Sequence, residues 1–105
     1  MYIMVTLWYP MKVAEKVGKT FLESLKVPMD KDILKRVISA SSMKKEGIKG
    51  LVIYEVKPGK VAEANLEISK RVLNFSDIAG VSAEIEILST ATEALPLIGL
   101  EMPAT

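Results

Sequence analysis

The chain has 105 residues, with 14 Lys plus Arg against 13 Asp plus Glu, and its net charge of +1 gives no electrostatic case for nucleic acid or an anionic membrane. Half of the residues are hydrophobic and 26% are charged, the composition of one globular domain that holds a core without staples. Cys and His are both absent, which excludes disulfides, thiol nucleophiles, Ser-His triads and the usual zinc sites.

Residues 1–9, Met-Tyr-Ile-Met-Val-Thr-Leu-Trp-Tyr, are far fewer than the ~20 needed to span a bilayer. They also lack the basic start of a secretory signal, so a cytoplasmic location is expected. As a strand they put Ile3, Val5 and Leu7 on one face and Tyr2, Met4, Thr6 and Trp8 on the other. Both faces want cover, as in the middle of a sheet.

Pro10 then opens a helix, where its missing N–H is no loss. Ala14, Val17, Gly18, Phe21 and Leu25 form its apolar stripe. Gly18 on that stripe costs roughly 1 kcal/mol of helix propensity, and a close helix-to-strand approach is the expected compensation. Pro28 and Met29-Asp30-Lys31-Asp32 end the helix. Residues 33–43 fit a helix through Ile33, Val37 and Ala40, and a strand through Lys35, Val37, Ser39, Ser41 and Met43. The turn-like Lys44-Lys45-Glu46-Gly47 before the plain strand Ile48 to Val56 decides for an antiparallel hairpin over 34–43. Lys57-Pro58-Gly59-Lys60 stops that strand.

A second helix reads from Lys60 to Asp77, with Val61, Ala64, Ile68, Val72 and Phe75 as its stripe. Ala62, Leu66 and Leu73 form a second ridge about 120 degrees away, which the C-terminal tail or another subunit should cover. Val81 to Leu88 is the fourth strand, with Val81, Ala83, Ile85 and Ile87 inward. Ser89 or Thr90, with Glu93, caps a short helix weakened by Pro96 and Gly99, and residues 101–105 should fray. The order βαββαβ is the ferredoxin-like, split βαβ arrangement, an α+β fold with strand order 4-1-3-2 and two helices on one face.

That topology leaves Tyr2, Met4, Thr6, Trp8, Leu51, Ile53, Glu55, Glu84, Glu86 and Leu88 on the open face of the sheet. So much apolar surface left wet is an aggregation liability, so a second copy is expected to cover it through Met4, Trp8, Leu51, Ile53 and Leu88. Lys31, Lys35, Arg36, Lys44, Lys45 and Lys49 cluster around the second strand, whereas residues 72–105 carry Asp77, Glu84, Glu86, Glu93 and Glu101 and no base. Glu84 and Glu86 facing Lys35 or Arg36 of the partner would set register.

Topology, length, apolar open face and the short last helix together resemble the dimeric α/β-barrel superfamily, with its antibiotic-monooxygenase-like, muconolactone-isomerase-like and uncharacterised members. The run from Asn74-Phe75-Ser76-Asp77-Ile78 to Ile87 is similar to the end of the second helix and last strand of uncharacterised members. The resemblance implies dimerisation through the sheets and a pocket between sheet and helices, without fixing a reaction. Haem-degrading members hold iron through a histidine, which this chain lacks. Lys49-Gly50-Leu51-Val52-Ile53-Tyr54-Glu55-Val56 also resembles the third-strand signature of RNA-recognition motifs. Its base-stacking positions are the aliphatic Leu51 and Ile53, so nucleic-acid binding is not expected.

The candidate polar residues are Thr6, Trp8, Arg36, Tyr54, Glu55, Glu84 and Glu86, with Ser39, Ser41 and Ser42 on the second strand. Glu55 with Glu84 or Glu86 would flank Thr6 and Trp8, and two carboxylates in a semi-apolar barrel can supply a general base. No acidic loop has metal-ligand spacing, and neither metal nor cofactor is expected. The leading expectation is a small homodimer binding an apolar or aromatic molecule in its barrel or under its helices. The alternatives are a cofactor-independent isomerase or monooxygenase with Glu55 or Glu84 as base, and a stand-alone effector-sensing module.

Overall fold

The first strand, β1 (Tyr2–Tyr9), is hydrogen-bonded along both edges, the position its two apolar faces call for. The computed structural model describes residues 1–103. It continues through a 3-10 turn, Met11–Val13, into α1 (Ala14–Leu25), then β2 (Leu34–Lys44), β3 (Gly47–Val56), α2 (Val61–Leu73), β4 (Ser82–Leu88) and α3 (Ala91–Ala94). The four antiparallel strands lie in the order β2-β3-β1-β4, which is the expected order read from the other edge. The arrangement is an α+β fold compatible with a ferredoxin-like architecture.

Residues 34–43 are thus strand, as expected, and Ile33 lies in the turn before them. Their mixed pattern has a physical cause, a bulge between Arg36 and Ile38. Lys35 pairs with Glu55 and Arg36 with Tyr54, but beyond the extra residue Ile38 pairs with Ile53 and Ser39 with Val52. Strict alternation from Lys35 through Ser39 to Met43 is therefore broken, because one inserted residue swaps the two faces. The hairpin closes over Lys45 and Glu46 with Lys44 opposite Gly47. Gly47 has φ of 139°, and a Cβ there would lie 2.6 Å from the Tyr9 carbonyl oxygen, so only glycine lets the hairpin pass so near the end of β1.

Helices α1 and α2 both pack on the face of β1 that carries Ile3, Val5 and Leu7. The larger core cluster joins Ile3, Val5, Leu34, Tyr54 and Val56 to Ala64 and Ile68 of α2, as the α2 stripe requires. A second cluster joins Val17 to Phe75 and Ile78, with Leu7, Val13 and Phe21 against it. Neither helix reaches the β4 edge fully: Ile87, expected inward, is 52% exposed. Leu66 and Leu73 are also exposed, so among the described residues nothing covers the second ridge of α2.

Arg71 ties the two helices together. Its Nη1 donates to the Ser24 carbonyl at 2.8 Å and its Nη2 to the Val27 and Pro28 carbonyls at 3.1 and 3.3 Å. Nη2 also lies 3.2 Å from Glu67 Oε1, four residues back on α2. The Ser24 carbonyl in the last turn of α1 and the Val27 and Pro28 carbonyls of the connection after it thereby find a charged donor.

At the other end, Thr90 caps α3 in a reciprocal box: Thr90 Oγ1 accepts from Glu93 N at 3.1 Å, and Glu93 Oε1 accepts from Thr90 N at 2.8 Å. The segment after it, Leu95–Ile98, is a 3-10 turn ending at Gly99 with φ of 78°. Leu97, Ile98, Leu100 and Met102 are exposed. Residues 101–103 have no regular structure, and the expected fraying of 104–105 lies outside the described residues.

The shape is extended for the mass. The radius of gyration is 15.7 Å, where a compact domain of this length has about 13 Å. The accessible surface is 7266 Å², where a folded monomer of 11.5 kDa exposes about 5,800 Å².

Candidate functional site

A cavity of about 260 Å³ lies on the helix side of the sheet, under α1. Val5, Leu7 and Val52 of the central strands form its floor, Val17 and Phe21 of α1 and Phe75 after α2 its walls. Gly18 also lines it, and a Cβ built there meets nothing within 4 Å. The expected close approach at Gly18 is therefore absent. The glycine leaves open space over the sheet instead, and the helix-propensity cost coincides with the cavity.

The bulge in β2 sets the polar content of this cavity. By placing Ile38 opposite Ile53, it turns Ser39 and Ser41 to the side of Val52 and Gly50, and both serines line the cavity. An apolar pocket, half open to solvent, with two hydroxyls along one wall suits a small apolar or aromatic molecule with a single polar group. The lining holds no titratable carboxylate, amine or guanidinium, and Tyr9 is its one phenol.

On the open face, Thr6 is only 2% exposed and sits between Leu51 and Glu84. Trp8, 38% exposed, lies between Lys49 and Ser82, and Glu86 lies beside Met4. Glu55 is opposite Tyr2 and Lys35. Glu84 and Glu55 are thus four positions apart along β1, about 13 Å, and on opposite sides of it. Within one chain Glu84 adjoins Thr6, whereas Glu55 flanks neither Thr6 nor Trp8. Glu86, opposite Met4, is likewise on the other side of β1 from Glu55.

Arg36 and Tyr54 face each other in register on the helix side. Tyr54 is buried in the larger core cluster, and burial raises its phenol above the ordinary value, while Arg71 and Arg36 pull it down and Glu67 pushes it up. It is a core residue at the sheet centre rather than a wall of the cavity. Ser42 pairs with Lys49 on the open side.

Three features escaped the sequence reading. The Glu67-Arg71 spacing of four on one helix was a visible signal for an ion pair, but the partner carbonyls of α1 were not. The cavity needed the bulge, which only pairing reveals. Lys57 joined the basic cluster through the fold: its N donates to the Ile33 carbonyl at 2.9 Å, which brings the end of β3 beside the start of β2.

Among the described residues no helix is long and apolar enough to cross a membrane, and no group of three or more His, Cys, Asp or Glu is placed to hold a metal ion. Comparison with protein-family models, with curated proteins and with solved structures finds no match to the chain.

Proposed function

We propose that the chain works as a homodimeric binding protein of the dimeric α/β-barrel kind, each subunit taking a small apolar or aromatic molecule into the cavity under α1. The observation that carries this reading is the 260 Å³ apolar space opened by Gly18 and edged by Ser39 and Ser41. The pocket is half open to solvent along β2, so a ligand can enter it, and its apolar floor and walls give an apolar body a place to lie.

Dimerisation through the open sheet face is supported by the half-exposed Trp8 and by the excess of about 1,500 Å² over the surface of a monomer of this mass. A standard interface buries about 800 Å² per partner. The unlike charges of the β2 and β4 edges offer a register for two copies related by a two-fold axis.

The test is Gly18→Leu, which fills the cavity from the helix side. A neutral apolar dye, N-phenyl-1-naphthylamine, should bind the wild-type protein saturably and brighten. The variant should bind at least tenfold more weakly while its circular dichroism is unchanged. It should also unfold at a higher temperature, since Leu exceeds Gly in helix propensity by about 0.8 kcal/mol. Undiminished dye binding by a folded Gly18→Leu protein would refute the reading.

A further inference from the structure

A second concavity, sharing no lining residue with the first, opens where the end of α1 and the connection after it meet the start of β2; it is a half-open groove of about 630 Å³. Lys31, Lys35, Arg36, Lys57 and Arg71 line it, and no carboxylate does. Arg71 is committed to Glu67 and to the carbonyls of α1. The other four have no carboxylate within 4.0 Å among the described residues. Lys35 has Glu55 opposite it in the strand register, which leaves Lys31, Arg36 and Lys57 as the cations around the hollow with no acid placed against them. These repel one another, and the hollow focuses their field toward an incoming anion.

The surroundings reinforce that sign. The end of a helix ordinarily presents its negative dipole end, which repels anions, but here the Arg71 guanidinium sits against the Ser24 carbonyl of α1 and the Val27 and Pro28 carbonyls of the connection after it. The same bonds hold Val27 and Pro28 in place as an apolar wall, continued by Leu25 and Met29. Of the nearby acids, Glu67 pairs with Arg71, and Asp30, Asp32 and Glu55, the last opposite Lys35 in the strand register, are not part of the lining.

We infer that this groove binds a phosphate monoester carried on an apolar body, the phosphate held by Arg36 and the three lysines and the body laid against Leu25, Val27 and Met29. A guanidinium fork matches phosphate oxygens in pairs, and ammonium groups add charge without fixed geometry. The site is separate from the cavity under α1, so the two ligand readings stand or fall independently. The phosphate could belong to a soluble metabolite or to a lipid headgroup.

Titration calorimetry with hexyl phosphate, with hexanol as the uncharged control, tests the inference. The wild-type protein should bind hexyl phosphate saturably and hexanol at least tenfold more weakly, with affinity for the phosphate falling as salt is raised. Arg36→Gln with Lys57→Gln should weaken binding at least tenfold, and Lys31→Gln with Lys35→Gln should do the same. All four side chains are exposed, so both double variants should fold. Gly18→Leu should leave hexyl phosphate binding unchanged. Flotation with phosphatidate-containing vesicles, lost in the same double variants, assigns the phosphate to a lipid; hexyl phosphate binding without flotation assigns it to a soluble compound. Equal affinity of wild type and both double variants, equal binding of hexanol, loss of phosphate binding in Gly18→Leu, or flotation without any hexyl phosphate binding would each overturn it.

Discussion

Arg71 shows how much one side chain can decide. Its side chain is 11% exposed, its Nη atoms serve three carbonyls and one carboxylate, and its Nε is buried without an acceptor. Hydrogen bonds to a charged group contribute about 1.5–3 kcal/mol, so Arg71→Met should destabilise the fold by about 3 kcal/mol in urea unfolding, and a change under about 0.5 kcal/mol would show the clamp to be idle. Tyr54 supplies a pH dependence. Burial raises its phenol above the ordinary value of 10.0, so the unfolded chain gives up that proton first. The associated stability is complete below about pH 10 and is lost as pH rises from there through the higher folded value. Melting temperature measured from pH 9 to 11.5 should fall more steeply for the wild type than for Tyr54→Phe, and identical slopes would remove Tyr54 as the cause.

Among the elements, the β2-β3 hairpin carries most of what is particular to this chain. All of β2 after Leu34 is exposed, an edge of the kind that invites unwanted pairing. Lys35, Arg36 and Lys44 and the bulge at Val37 are the devices that discourage it. The hairpin's placement rests on Gly47, because any side chain there would press on the Tyr9 carbonyl and hold an unfavourable φ. Gly47→Ala should therefore cost about 2 kcal/mol or more, with hydrogen exchange accelerating first in residues 42–50. If exchange there is unaltered, the close approach is not a constraint. At the far end, the hydrogen bond from the Thr90 N–H and the Met1 ammonium at 3.0 Å both lower the Glu93 pKa. Stability from that cap is present above the unfolded pKa and is lost as pH falls through the folded one.

For the whole molecule, the extended shape and the large accessible surface are the features that the proposed dimer would account for. Trp8, Met4, Leu51 and Ile53 alternate with polar groups on a sheet face that neither helix covers, and the C-terminal residues Leu97, Ile98 and Leu100 add further exposed apolar surface. Trp8→Glu would place a carboxylate, on the same face as Glu84 and Glu86, into the proposed apolar interface. Sedimentation equilibrium should give the mass of two chains for the wild type and of one for the variant. A wild-type monomer, or a variant that stays dimeric, would sink the proposed interface.

The local rules acting in the sequence were enough for the elements and their order. Period two in residues 1–9, the 3.6 period around Ala64 and Ile68, the Lys45-Glu46 turn and the Thr90-Glu93 cap each report on neighbours close along the chain, so each is written where it acts. What belongs to pairs distant in sequence was decided by the tertiary structure. The bulge at Val37 appears only when β2 meets β3, and with it the turning of Ser39 and Ser41 toward Gly18. Arg71 finds the carbonyls of α1 only when two helices converge, and Lys57 joins Arg36 only when the sheet forms. A side chain's type is fixed by its codon, but the company it keeps depends on which strand register and which helix approach bury the most apolar surface with the fewest unpaired polar groups.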